Sequence, residues 1–319
     1  MNRRGFLQVA GAVSAASMFA PGGRASAAAS APQRSEDAAR GMPFPIVDTH
    51  VHFWDPANLR YPWVEGSALL NRAYLPEDYT AAVGSIAVER IVFVEAACQK
   101  GHAMDEVAWV ARLAEQDRRI QGIVAAAPLE QGAEVKATLE TLAQNPLVKG
   151  IRPGLPGQGE PPPAFIEGVQ LLESVNFSCD LCGGHDRLPL MAEVARQCPA
   201  VRFMIDHIGV PNIKERQFDP WREHIRRLAD LPNVWCKMSG VATAAGRERW
   251  TRDDLVLPIE HVLECFGFAR TAFGSDWPVM LAATTYERWV ETLAWVLRTR
   301  TAPELRQIFH GTAIGFYRL

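Results

Sequence analysis

The chain predicts a single-domain α/β fold, a (β/α)8 barrel of the TIM type. Three observations lead there. Eight short apolar, β-branched runs occur within about 230 residues. Amphipathic stretches of helical period lie between most of them, and strand–helix alternation argues for a parallel sheet. Eight repeats fit a closed barrel better than an open sheet, and no G-x-G-x-x-G follows the first run to favour a dinucleotide-binding fold.

The runs are Ile46–Asp48, Arg90–Glu95, Ile120–Ala126, Val148–Ile151, Phe177–Leu181, Arg202–Asp206, Val234–Met238 and Thr271–Gly274. Met104–Gln116 carries apolar residues at 104, 107, 108, 110, 111, 113 and 114, a helical stripe. Leu188–Gln197, Trp221–Ala229 and Pro258–Phe266 follow the same period. A barrel builds its site at the C-terminal ends of its strands, so the residues ending each run matter. They are Asp48, His50 and His52 after the first, Glu95 after the second and Arg152 after the fourth. The fifth supplies Asp180 and His185, the sixth Asp206 and His207, the seventh Lys237 and Ser239, the eighth Ser275 and Asp276. Residues i and i+2 of a strand share a side, so His50 and His52 can face one pocket, whereas Asp206 should point away from His207.

The ends and the composition bound the rest. Residues 1–27 read as a cleavable twin-arginine-type export signal: Arg3-Arg4, an apolar stretch from Gly5 to Ala20, then Ala25-Ser26-Ala27. The apolar stretch is short for a lasting membrane anchor. Residues 28–41 read as a disordered lead-in and 42–319 as the barrel. The expected location is the periplasm, reached through the twin-arginine machinery. Net charge is −3 with scattered Lys and Arg, which favours neither nucleic acid nor an anionic membrane. Cys179 and Cys182 form a C-x-x-C, but no second pair completes a zinc site, and buried, reduced cysteines are expected.

The motifs resemble the amidohydrolase superfamily: D-x-H-x-H after the first strand, a D-H-x-G strand end, and a late G-S-D-W-P. Within it they resemble the amidohydrolase-2 group, and most closely its branch of sugar lactonases and 2-pyrone-4,6-dicarboxylate lactonases. The stretches HVHFWDPANLRYPW, GIRPG, FMIDHIGVP, LPNVWCKMSGV and FGSDWPV all fit that branch. So does the closing GTAIGFYRL, although the family usually has Asn near Thr312. The match runs from about Ile46 to Leu319.

The resemblance implies that Asp276 is the general base, since the matching Asp of the family takes a proton from the attacking water. Asp before Trp-Pro also makes a good helix N-cap, the structural alternative. His50 and His52 either bind a divalent metal or hydrogen-bond the substrate carbonyl, and His207 either polarises that carbonyl or joins the metal site. A single metal, zinc before others, would take His50, His52, His207 and Asp276 as ligands. The bridging lysine or glutamate of two-metal members is not evident on the fourth strand, and Arg152 near that place would repel a second cation. None or one divalent metal is therefore expected. Arg152 offers a fork of donors to a carboxylate or lactone oxygen, or else a salt bridge. Trp54, with Tyr61, Trp63 and Trp277, is expected to wall the pocket, unless these are core aromatics. Lys237 is assigned a substrate contact or, equally, a pairing role, and His185 lies in a loop that could reach the site.

The resulting expectation is a hydrolase that opens a sugar or carboxylated lactone and takes a small-molecule substrate. Two alternatives stand beside it: a zinc-dependent decarboxylase of an aromatic or unsaturated acid, and a catalytically silent periplasmic solute-binding protein.

Overall fold

The fold is that of a computed structural model, which describes residues 44–246 and 249–319. The export signal, the whole lead-in and residues 42–43 lie outside the described residues. Eight strands form one parallel sheet in chain order: β1 (Ile46–Val51), β2 (Val88–Val94), β3 (Ile120–Ala125), β4 (Val148–Ile151), β5 (Ser178–Leu181), β6 (Phe203–Ile205), β7 (Val234–Met238) and β8 (Thr271–Phe273). Each coincides with one of the eight apolar runs. Such runs are easy to read because a parallel strand covered on both faces is apolar throughout.

Helices cover the outside: α1 (Pro76–Val83), α2 (Ala103–Gln116), α3 (Lys136–Ala143), α4 (Pro163–Gln170), α5 (Leu188–Gln197), α6 (Trp221–Ala229), α7 (Val241–Ala245), α8 (Arg252–Phe266), α9 (Tyr286–Val296), α10 (Ala302–Arg306) and α11 (Thr312–Tyr317). Helix α8 corrects one boundary, because it begins six residues before Pro258. A capping box places the start: Asp254 Oδ2 accepts from both the backbone N and the Oγ1 of Thr251, each at 2.8 Å.

The sheet closes through the segment that follows β8. Asp276 N donates to His50 O at 2.8 Å, His52 N donates to Trp277 O at 2.8 Å, and Thr49 Oγ1 donates to Phe273 O at 2.6 Å. Inside, Val92, Val94, Val124, Met204 and Ala272 form a cluster with Phe316 and Tyr317 of the C-terminal helix. The barrel is thus a packed core at one end and polar at the other. Among the described residues no helix is long and apolar enough to cross a membrane.

Candidate active site

His50 lies near the centre of the polar end. Its Nε2 stands 3.2 Å from His52 Nε2 and 3.7 Å from Asp276 Oδ1, and His52 Nε2 is 3.5 Å from the same oxygen. The i, i+2 spacing on β1 does bring both rings to one place. Asp48, two residues earlier, does different work. Its Oδ1 accepts Ser275 N at 2.8 Å and its Oδ2 accepts Tyr79 OH at 2.9 Å, so it ties the first strand to the segment after β8.

Asp276 sits in the left-handed region at φ 66°, a conformation uncommon outside glycine that is found where structure enforces it. Burial lifts its carboxyl to about pH 6, with His207 and Arg152 partly offsetting the rise. A carboxylate with that affinity can hold and release a proton near neutrality. Burial, then the Arg152 charge, pushes His52 down to about 3, and burial lowers His50 and His207 too. The imidazoles are therefore neutral at neutral pH.

His207 follows β6 on a run of left-handed residues: His207 at φ 55°, Ile208 at 49°, Gly209 at 70° and Val210 at 45°. The strand ends at Ile205, so the alternation that would turn Asp206 away no longer applies. Asp206 instead joins the site, with its Oδ1 3.4 Å from His50 Nδ1 and 2.9 Å from Lys237 Nζ. This corrects the expectation for Asp206. The His207 ring lies 4.5 Å from that of His50, and its Nδ1 is 2.9 Å from Ser239 Oγ. Gly240, at φ 63°, leaves room for it, since a Cβ there would stand 2.7 Å from His207 Nδ1.

Arg152 both pairs and stays at the rim. Its Nε donates to Glu95 Oε1 at 2.8 Å, another guanidinium nitrogen donates to Glu95 O, and Nη1 is 3.8 Å from Asp206 Oδ2. Burial works against its charge, but Glu95, Cys182 and Asp206 together outweigh it and raise the pKa. Glu95 ends a strand and carries no motif; only its position pointed to it.

Two expected substrate contacts stand apart. Lys237 is fully buried, and its Nζ meets Asp180 Oδ2 at 2.7 Å, Asp206 Oδ1 at 2.9 Å and His50 Nδ1 at 3.2 Å. Trp54 is also fully buried, donating from Nε1 to Leu70 O at 3.1 Å and packing on Tyr61, Trp63 and Tyr74. Neither leaves surface for a substrate, whereas His52, His207 and Asp276 each keep 4% exposure at the rim. Tyr61 and Trp277 are core aromatics as well, at 1% each. Trp63 is half-buried and His185 opens a short 3-10 turn after β5. All six cysteines are free, and Cys179 is buried within β5.

The sequence profile of the amidohydrolase-2 family, described as amidohydrolase, matches residues 47–319. The chain belongs to this amidohydrolase family. An L-fucono-1,5-lactonase of Burkholderia multivorans is 29% identical over 289 residues, covering 86% of this chain and 96% of that protein. An L-rhamnono-gamma-lactonase of Scheffersomyces stipitis is 24% identical over 340 residues, covering 86% and 99%. A crystal structure of an amidohydrolase from Burkholderia multivorans with bound zinc superposes with a TM-score of 0.77 at 28% identity, covering 86% of this chain and all of that one.

Among the described residues, two triplets of this amidohydrolase bring ligand atoms within metal-binding reach of one another: His50, His52 and Asp276, and His50, Asp206 and His207. Ligands about 2.0–2.1 Å from a tetrahedral zinc are about 3.3 Å apart. The first triplet, at 3.2, 3.5 and 3.7 Å, fits that spacing. The second already has a cation, because the Lys237 ammonium stands 2.9 Å from Asp206. The residues therefore suit one divalent ion at most.

Proposed function

We propose that this amidohydrolase opens lactone rings by hydrolysis, with Asp276 as the base. The observation that carries the reading is Asp276 itself: a carboxylate poised near pH 6, at the end of the last strand, facing three neutral imidazoles. Two relatives named as sugar lactonases support a sugar lactone as the substrate.

Asp276 takes a proton from water as the oxygen attacks the lactone carbonyl. Charge develops on the carbonyl oxygen and needs donors already in place, for which His207 and Arg152 stand at the rim. The ring C–O bond then breaks, and the departing ring oxygen takes the proton held by Asp276. The product is an open hydroxy acid, and the base is restored. A zinc ion held by His50, His52 and Asp276 would polarise the carbonyl or acidify the water. We read residues 1–27 as the signal that exports the enzyme to the periplasm, supported by the twin-arginine pattern; the N-terminal mass of the periplasmic protein tests it.

The test of function is a pH-indicator assay over a panel of aldono-1,4- and aldono-1,5-lactones, with and without chelator. Turnover by the wild type and its loss in Asp276→Asn is the expected result. No turnover on any lactone would overturn the reading. Turnover that survives chelation but not Asp276→Asn places the work on the side chains alone.

A further inference from the structure

Hydrogen-bond donors and acceptors around His50 can be matched one by one. The Lys237 ammonium has three N–H donors and no acceptor. It meets three acceptors: Asp180 Oδ2 at 2.7 Å, Asp206 Oδ1 at 2.9 Å and His50 Nδ1 at 3.2 Å. Since Lys237 can only donate, His50 Nδ1 accepts, and the single proton of the neutral ring is on Nε2. At the other ring, His52 Nδ1 is 2.8 Å from the carbonyl oxygen of Val94, which can only accept. His52 therefore carries its proton on Nδ1 and presents a lone pair at Nε2. The 3.2 Å contact between the two Nε2 atoms is then a bond from His50 to His52. Donor meets acceptor at every step from Lys237 through His50 and His52 to Val94.

A cation in the triplet of His50, His52 and Asp276 needs a lone pair on both Nε2 atoms. His52 has one. His50 has none while Lys237 donates to its far side. A second partner for that side is present: Asp206 Oδ1, 3.4 Å from His50 Nδ1.

We propose that Lys237 is a positioning residue that keeps the His50 proton on Nε2, where it is donated to His52, so that a divalent metal is taken up only when that proton moves to Nδ1 and is donated to Asp206. The exchange is balanced within the site. Nε2 gives up one proton, Nδ1 gains one, Lys237 loses its hydrogen bond to His50 and keeps the one to Asp180, and no proton leaves the protein. The proposal rests on the reading of this rim as a hydrolytic site in which His50, His52 and Asp276 would hold the one divalent ion. Its readouts are ring protonation and zinc binding, so it can fail while lactone turnover stands, and the reverse.

The first experiment is long-range proton–nitrogen NMR on the full chain, stripped of metal, with the rings assigned through His50→Gln and His52→Gln. The expected result is Nε2–H on His50 and Nδ1–H on His52, with His50 converting to Nδ1–H when zinc is added. Nδ1–H on His50 before zinc would overturn the proposal. The second is zinc titration against a chromophoric chelator in wild type and Lys237→Met. Affinity should tighten by about 10- to 100-fold in the variant, the usual range when the partner of a ligand is changed. Unchanged or weaker affinity in a folded variant would also overturn it. Should the variant not fold, the NMR result on wild type decides alone.

Discussion

The backbone N–H of Asp276 donates to the carbonyl oxygen of His50 at 2.8 Å, so one hydrogen bond both closes the barrel and sets the base beside the imidazole. Stability and chemistry are joined at this seam, because the residues that complete the sheet also carry the reactive groups.

Asp276→Asn keeps the shape of the side chain and removes the base. Lactone turnover should fall by about 10²–10⁴-fold, the usual weight of general-base catalysis. Steady-state kinetics with a melting curve on the same sample checks that activity, not folding, is lost.

The pH profile has a definite sign. Asp276 is raised to about 6, and its ionised form is the base. The rate should be flat above that value and fall with unit slope as acid protonates the carboxylate. A kcat/KM profile from acid to neutral pH reads it directly.

Gly240→Ala should displace His207. The new Cβ would lie 2.7 Å from His207 Nδ1, at a φ of 63° that L side chains rarely adopt. The left-handed backbone alone costs about 1–2 kcal/mol, and turnover should drop at least tenfold as the ring loses Ser239. Denaturant melts and kinetics together separate the two effects.

Glu106→Gln should alter the pH dependence of stability. Glu106 is buried on α2, and burial, then the charge of Glu95, lifts its carboxyl to about 8 from an ordinary 4.5. Between those values the unfolded chain loses its proton and the folded chain keeps it, so this group lowers stability as pH rises. The variant should gain on the wild type across that window, by an amount on the order of a few kcal/mol. Melts of both proteins at a series of pH values measure the difference.

Glu95→Gln should loosen Arg152. The variant loses the charge that holds the guanidinium, whose Nε now donates to Glu95 Oε1 at 2.8 Å. KM should rise severalfold to tenfold, with a smaller change in kcat, if Arg152 grips the substrate. The ratio of the two constants against wild type is the check.

The strands and their polar ends were legible because a parallel barrel writes each strand as a short apolar run and places its chemistry just beyond. His50, His52, His207, Arg152 and Asp276 stand at or just past those ends. Asp206 was misread because alternation was carried past Ile205, where the chain turns left-handed. Trp54 and Lys237 took the buried one of their two open readings, because a tryptophan or lysine near a motif looks the same whether it lines a pocket or lies beneath one.

The order of apolar runs and end residues sets which groups stand on the rim, since strand period and barrel topology are local and repetitive. Which way each group points, and what it holds, is settled by contacts between residues far apart in the chain. Lys237 meets Asp180, Asp206 and His50 across four strand ends. Asp276 meets His50 across the closing seam. Burial then shifts each proton affinity according to those neighbours, and such three-dimensional pairings leave no periodic trace in one dimension.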